Sequence, residues 1–213
     1  MAQSDGSAGQ VTAGHDAETA VSEEDALRAR FYGLLARMLA APVDADLLEQ
    51  LKALGGDDSD IGQAFTRLAE GARDADAEAA EDAYNHLFVG QGAGGTLMPY
   101  ASFYRTGFLY EWPLARVRDD LSRLGVAHAR LNGEPEDHIG FLCECMHGLI
   151  TGSFGVPSPL ADQQAFFDAH IAPWAGAFFE DLEKDSGAGL LAPVGTLGRL
   201  FMGIERDAFR MAA

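Results

Sequence analysis

Apolar residues recur along this chain at intervals of three and four, the spacing that gathers them on one face of a helix. Leu27, Phe31, Leu34, Leu35, Met38 and Leu39 form the first such stripe, after Ser22 as a candidate N-cap and before Pro42 as a stop. Leu47, Leu48, Leu51 and Leu54 form a second, closed by Gly55-Gly56, and Ile61, Phe65 and Leu68 a third. Residues 75–88 read as a fourth helix, rich in Ala and Glu. The pattern then fails over 90–104, where Gly90, Gly92, Gly94, Gly95 and Pro99 leave no periodicity, so a long loop is expected there.

Helix resumes near Pro113, with Leu114, Val117, Leu121 and Leu124 facing inward and Gly125 as its end. A further helix begins around Glu134-Pro135-Glu136-Asp137 and carries Ile139, Leu142, Met146, Leu149 and Ile150. Ser158-Pro159 opens a longer one with Phe166, Phe167, Ile171, Trp174, Phe178 and Leu182, which Pro173 should kink or break. Pro193 starts the last, with Val194, Leu197, Leu200, Phe201 and Ile204. No segment alternates convincingly as a strand and no repeat is present, so the expectation is an all-α chain of one domain over 22–213. Residues 1–21 are small, polar and free of Lys and Arg, and read as a disordered acidic tail without the features of a secretory signal.

Charge narrows the function. The net charge is −18, from 15 basic and 33 acidic residues. Such a chain lacks the Lys and Arg that replace counterions on nucleic acid, so no nucleic-acid partner is expected; a basic partner suits it better. No run of 18 apolar residues exists, which argues against stable membrane insertion. The two cysteines, Cys143 and Cys145, make no disulfide framework and suit a reducing compartment.

Candidate chemistry is sparse. His138, Cys143, Cys145 and His147 crowd one helix, but Cys143 and Cys145 point to nearly opposite sides, and the Cys143–His147 pair would need further ligands. No phosphate loop, dinucleotide fingerprint or zinc-protease motif occurs, and no nucleophile sits beside Asp137-His138. Neither metal nor cofactor is expected. Asp137-His138 stands at a helix start, where the acid should accept a hydrogen bond from its own helix or from a bound arginine, and where the His should lie near the surface. Tyr100, Phe103 and Tyr104 beside the Gly-rich stretch are either core or the wall of a groove.

Three segments together resemble the TorD/DmsD/NarJ-type chaperones, the redox enzyme maturation proteins. Tyr84 to Gly90 resembles that family's Y-x-x-L-F-x-G, Pro99 to Tyr104 its P-W-E/G-S-V/F-Y, and Glu134 to Ile139 its E-P-x-D-H. His170 to Trp174 and the final helix are also similar, so the resemblance spans about 22–210. It implies an all-helical fold of two halves joined by a hinge near 125–137, as a monomer or as a dimer that swaps halves. It implies a cytoplasmic chaperone, not an enzyme, that binds the twin-arginine leader or N-terminus of the catalytic subunit of a molybdoenzyme and supports cofactor insertion. The peptide-binding residues it implies are Tyr100, Ser102, Tyr104, Glu134, Pro135, Asp137 and His138. Tyr100-Ala101 stands where the family often has Trp then Glu or Gly, which bears on partner choice. The alternative is an enzyme or metal-binding helical protein using Asp137, His138, Cys143 and His147.

Overall fold

The computed structural model describes residues 21–90, 94–126 and 134–212. The tail, apart from Val21, and 127–133 of the hinge region lie outside these residues. Among the described residues there are ten α-helices and no strand. They are α1 (Glu23–Ala40), α2 (Ala45–Lys52), α3 (Asp60–Asp74), α4 (Ala77–Tyr84), α5 (Ala101–Thr106), α6 (Trp112–Arg123), α7 (Ile139–Thr151), α8 (Leu160–His170), α9 (Ala175–Lys184) and α10 (Ala192–Ala212).

The first four helices start where a short polar side chain satisfies an orphan amide. Ser22, Asp44, Ser59 and Asp76 accept from the amides of Asp25, Leu47, Gly62 and Ala79. The most buried element is α7, with nine of its residues inside, from Ile139 to Ile150. Its glycines and small cysteines let α1 lie close along it, and Cys143 and Cys145 are both buried, on different sides of the helix. Helix α10 crosses α9 so tightly that a Cβ on Gly195 would overlap the Glu183 backbone, and one on Gly198 the Phe179 ring. A polar knot closes the far side. Arg28 of α1 forks onto Glu205 of α10 (2.8 and 2.9 Å) and reaches Gln163 of α8 (3.1 Å), and the buried Tyr32 hydroxyl donates to Glu205 (3.0 Å).

Three boundaries differ from the periodic reading. The fourth helix ends as a π turn over Asn85–Val89. That turn leaves the His86 and Leu87 carbonyls free, and the amides of Thr96 (3.2 Å) and Leu97 (2.9 Å) return to them. Gly90 (φ 66°) makes the reversal, and Gly95 passes so near the Leu87 carbonyl that a side chain would collide. Second, helix resumes at Ala101, inside the expected loop, because six residues are too few to show a period. Third, Pro159 rather than Ser158 precedes α8, with no side-chain cap; the break expected at Pro173 falls over residues 171–174, between α8 and α9.

Candidate functional site

Two of the motifs meet. Residues 99–101 and 137–139 run antiparallel: the Ala101 amide donates to the Asp137 carbonyl (3.0 Å) and the Ile139 amide to the Pro99 carbonyl (2.8 Å), with Tyr100 opposite His138. The junction launches α5 from one segment and α7 from the other.

Asp137 and His138 are both buried, which corrects the expectation that His138 lies near the surface. Asp137 neither caps its own helix nor faces outward. Its Oδ2 accepts the Ser102 amide at 2.8 Å, in the first turn of α5, where Tyr100 provides no side-chain cap. The carboxylate thus caps a helix on the other segment, and the short α5 owes its start to it. His138 caps α7: its Nδ1 accepts the Gly140 amide at 3.0 Å. That bond requires an unprotonated Nδ1, and burial pushes the His138 pKa down to about 4, against a smaller upward pull from Glu134. Gly140 is needed there, because a Cβ would sit 3.2 Å from that nitrogen and 3.3 Å from the Ala40 amide.

Around this lock the remaining site residues form a rim. The Tyr100 hydroxyl donates to the exposed Glu134 carboxylate; burial and then that contact raise the Tyr100 pKa well above the usual phenol range. Tyr104, one turn on, donates to the exposed Asp181 of α9 at 2.8 Å and packs on Trp174 (5.4 Å between ring centres). Burial and then Asp181 raise its pKa in the same way. Pro135 forms the turn, its carbonyl accepting the His138 amide at 3.1 Å. Ser102 is fully buried, and its hydroxyl has no hydrogen-bond partner among the described residues. Of the seven residues read from the sequence, Tyr100, Tyr104, Glu134 and Pro135 reach the surface, while Ser102, Asp137 and His138 hold them in place.

Sequence reasoning missed three contributors. Tyr84 lies near Glu134, and burial followed by that carboxylate raises its pKa to about 12. Its signal was its place in the first motif. The buried Glu136 pairs with Arg118 of α6 (2.8–2.9 Å), and Asp181 meets Tyr104; no local pattern marks either. The alternative residues are otherwise engaged. Burial raises the thiol pKa of Cys143 and Cys145 above the usual range, keeping both protonated at neutral pH, and His147 donates from Nδ1 to the Ala29 carbonyl at 2.8 Å. Among the described residues no group of three or more His, Cys, Asp or Glu side chains could hold a metal ion.

The fold and this junction define an all-helical protein in which two of the motifs meet in one antiparallel pairing, edged by the Tyr100–Glu134 and Tyr104–Asp181 hydrogen bonds. The chain belongs to the nitrate reductase delta subunit family, the NarJ/TorD-type chaperones, whose model matches residues 55–180. That is a maturation chaperone family, not a catalytic one. A solved structure with the same fold is that of a protein described as a redox enzyme maturation protein from Archaeoglobus fulgidus. It is 21% identical, with a TM-score of 0.56, over 83% of this chain and 94% of that one. No curated protein matches the chain. Among the described residues no helix is long and apolar enough to cross a membrane.

Proposed function

We propose that this protein is a cytoplasmic maturation chaperone that holds the arginine-bearing leader, or its N-terminal remnant, of a molybdenum-cofactor oxidoreductase's catalytic subunit until the cofactor is in place. The observation that carries this reading is the rim: Tyr100 and Tyr104 lie one helical turn apart on α5, and each hydroxyl holds an exposed carboxylate, Glu134 or Asp181. Carboxylates held this way accept guanidinium groups as charge-assisted hydrogen bonds, and the half-buried rings beside them offer apolar contact for the residues that follow. The net charge of −18 attracts a basic leader from a distance.

Calorimetry with a synthetic twin-arginine leader peptide tests it. Binding should weaken as salt rises, since exposed charges are screened over ~8 Å at physiological ionic strength. Replacing both arginines by glutamine should weaken it more than replacing them by lysine. Glu134→Gln should raise the Kd roughly 5-fold, the scale of an exposed ion pair. Equal affinity for the glutamine peptide, in low and high salt alike, would sink the reading.

A further inference from the structure

Among the described residues, five exposed large hydrophobic side chains fall within 103–112, at the connection from α5 to α6. Phe108 and Tyr110 are 70% and 73% exposed, Trp112 43% and Phe103 39%, with Leu109 between them. This is not a frayed end. The Thr106 hydroxyl accepts the Phe108 amide at 3.2 Å, and Gly107 closes α5 in the left-handed region (φ 83°). Pro113 and Leu114 beside Trp112 are buried. Tyr110 is the only non-glycine residue with positive φ among the described residues (62°). A bulky residue is strained there, yet the side chain is held outward, 73% exposed.

Two cations complete the surface. Arg105 lies over the Trp112 ring at 4.4 Å and Arg116 at 5.2 Å from its centre. Among the described residues neither guanidinium meets a carboxylate; Arg105 donates only to the Ala169 carbonyl, at 3.4 Å. Burial and then the charge of Arg116 lower the Arg105 pKa, so the two guanidiniums are near enough to repel one another. Over residues 105–123 the chain carries four arginines and three acids, against a whole that is net −18. Exposed Trp, Tyr and Phe flanked by Arg is the composition of an interface centre, and fixed loops lose little entropy on docking.

We infer that the face around Trp112, Arg105 and Arg116 docks an acidic, apolar segment of a partner protein, separate from any arginine-bearing leader. The sign of the charge decides the occupant: two unpaired guanidiniums repel a leader's arginines and favour glutamate or aspartate set among apolar residues. A second copy of so acidic a chain, or an extended anionic lipid surface, would face the acidic remainder of the molecule as well as the patch, whereas a short acidic segment faces chiefly the two guanidiniums because charge beyond ~8 Å is screened. The inference does not rest on the leader reading, since it uses none of the rim residues.

A fluorescent twelve-residue peptide alternating leucine or phenylalanine with glutamate tests it, with a lysine-for-glutamate counterpart as control. The full chain should bind the glutamate peptide, with a blue shift of tryptophan emission that Trp112→Phe removes while the buried Trp174 remains. Arg105→Glu with Arg116→Glu should weaken it roughly 10-fold or more and favour the lysine peptide. A twin-arginine leader peptide should not displace it. Thermal melts of each variant confirm folding. Equal binding of both peptides, no loss in the double variant, or displacement by the leader peptide would overturn the inference. So would a Trp112-dependent dimer in sedimentation, or Trp112-dependent binding to phosphatidylglycerol vesicles in place of the peptide.

Discussion

Asp137 and Ser102 are 35 residues apart, and the bond between them makes a motif acid into a structural cap. Removing the cap with Asp137→Ala should cost about 0.5–2 kcal/mol, the range for a lost helix cap. That is a fall in Tm of roughly 2–4 °C per kcal/mol for a chain this size. Asp137→Asn, which still presents an acceptor oxygen, should keep most of both stability and leader affinity; a leader affinity that collapsed in the stable Asn variant would return Asp137 to direct binding. His138 makes the junction sensitive to acid. Its folded pKa, about 4, lies below the unfolded 6.5, so the unfolded chain takes up the proton first as pH falls. The stability it contributes is whole above about 6.5 and is lost down to about 4, by about 3 kcal/mol at 1.36 kcal/mol per unit. His138→Asn can still cap α7 and does not titrate. Urea melts at pH 7 and pH 4.5 should show a larger loss for the native protein than for that variant.

Much of the molecule at the scale of helices was legible in its sequence. The long helices carried enough turns to show a period, Ser22 marked the start of α1, and Pro173 marked the break between α8 and α9. What escaped notice had no local signature. Helix α5 is six residues long and borrows its cap from 35 residues away. The π turn after Tyr84 is stabilised by amides returning from Thr96 and Leu97. The motifs picked out the two segments that pair at the candidate site, but periodicity could not tell their buried members from their exposed ones. Asp137 and His138 turned inward because antiparallel pairing with residues 99–101 set their direction, and Asp181 joined through tertiary packing alone. The glycines of this level are testable. Gly90→Ala meets both a positive φ and the Gly94 carbonyl, so it should shift the returning segment and destabilise by roughly 1 kcal/mol or more. Gly195→Ala should cost about 1–3 kcal/mol by prising α10 from α9. Equilibrium unfolding of each variant measures both; a neutral Gly195→Ala would mean that the crossing is looser than described.

For the whole molecule, a net charge of −18 spread over 213 residues sets a background of self-repulsion. Moderate sodium chloride should therefore raise the Tm while weakening leader binding, two opposite responses from one screening length; a Tm that fell with salt would point to surface ion pairs as the dominant electrostatic effect. The knot of Arg28, Tyr32 and Glu205 carries a different consequence, one of time. Arg28 and Glu205 are 177 residues apart. At the ~5–20 residues per second of translation, α1 waits roughly 9–35 s for its partner to be made. During that interval its guanidinium has no buried carboxylate, and the side that will face α10 stays open. A nascent chain of this protein therefore passes through a period in which the α10-facing side of α1 is uncovered. Ribosome-bound chains halted before Phe209 should be cut rapidly by protease, and those extended far enough for α10 to emerge should resist it.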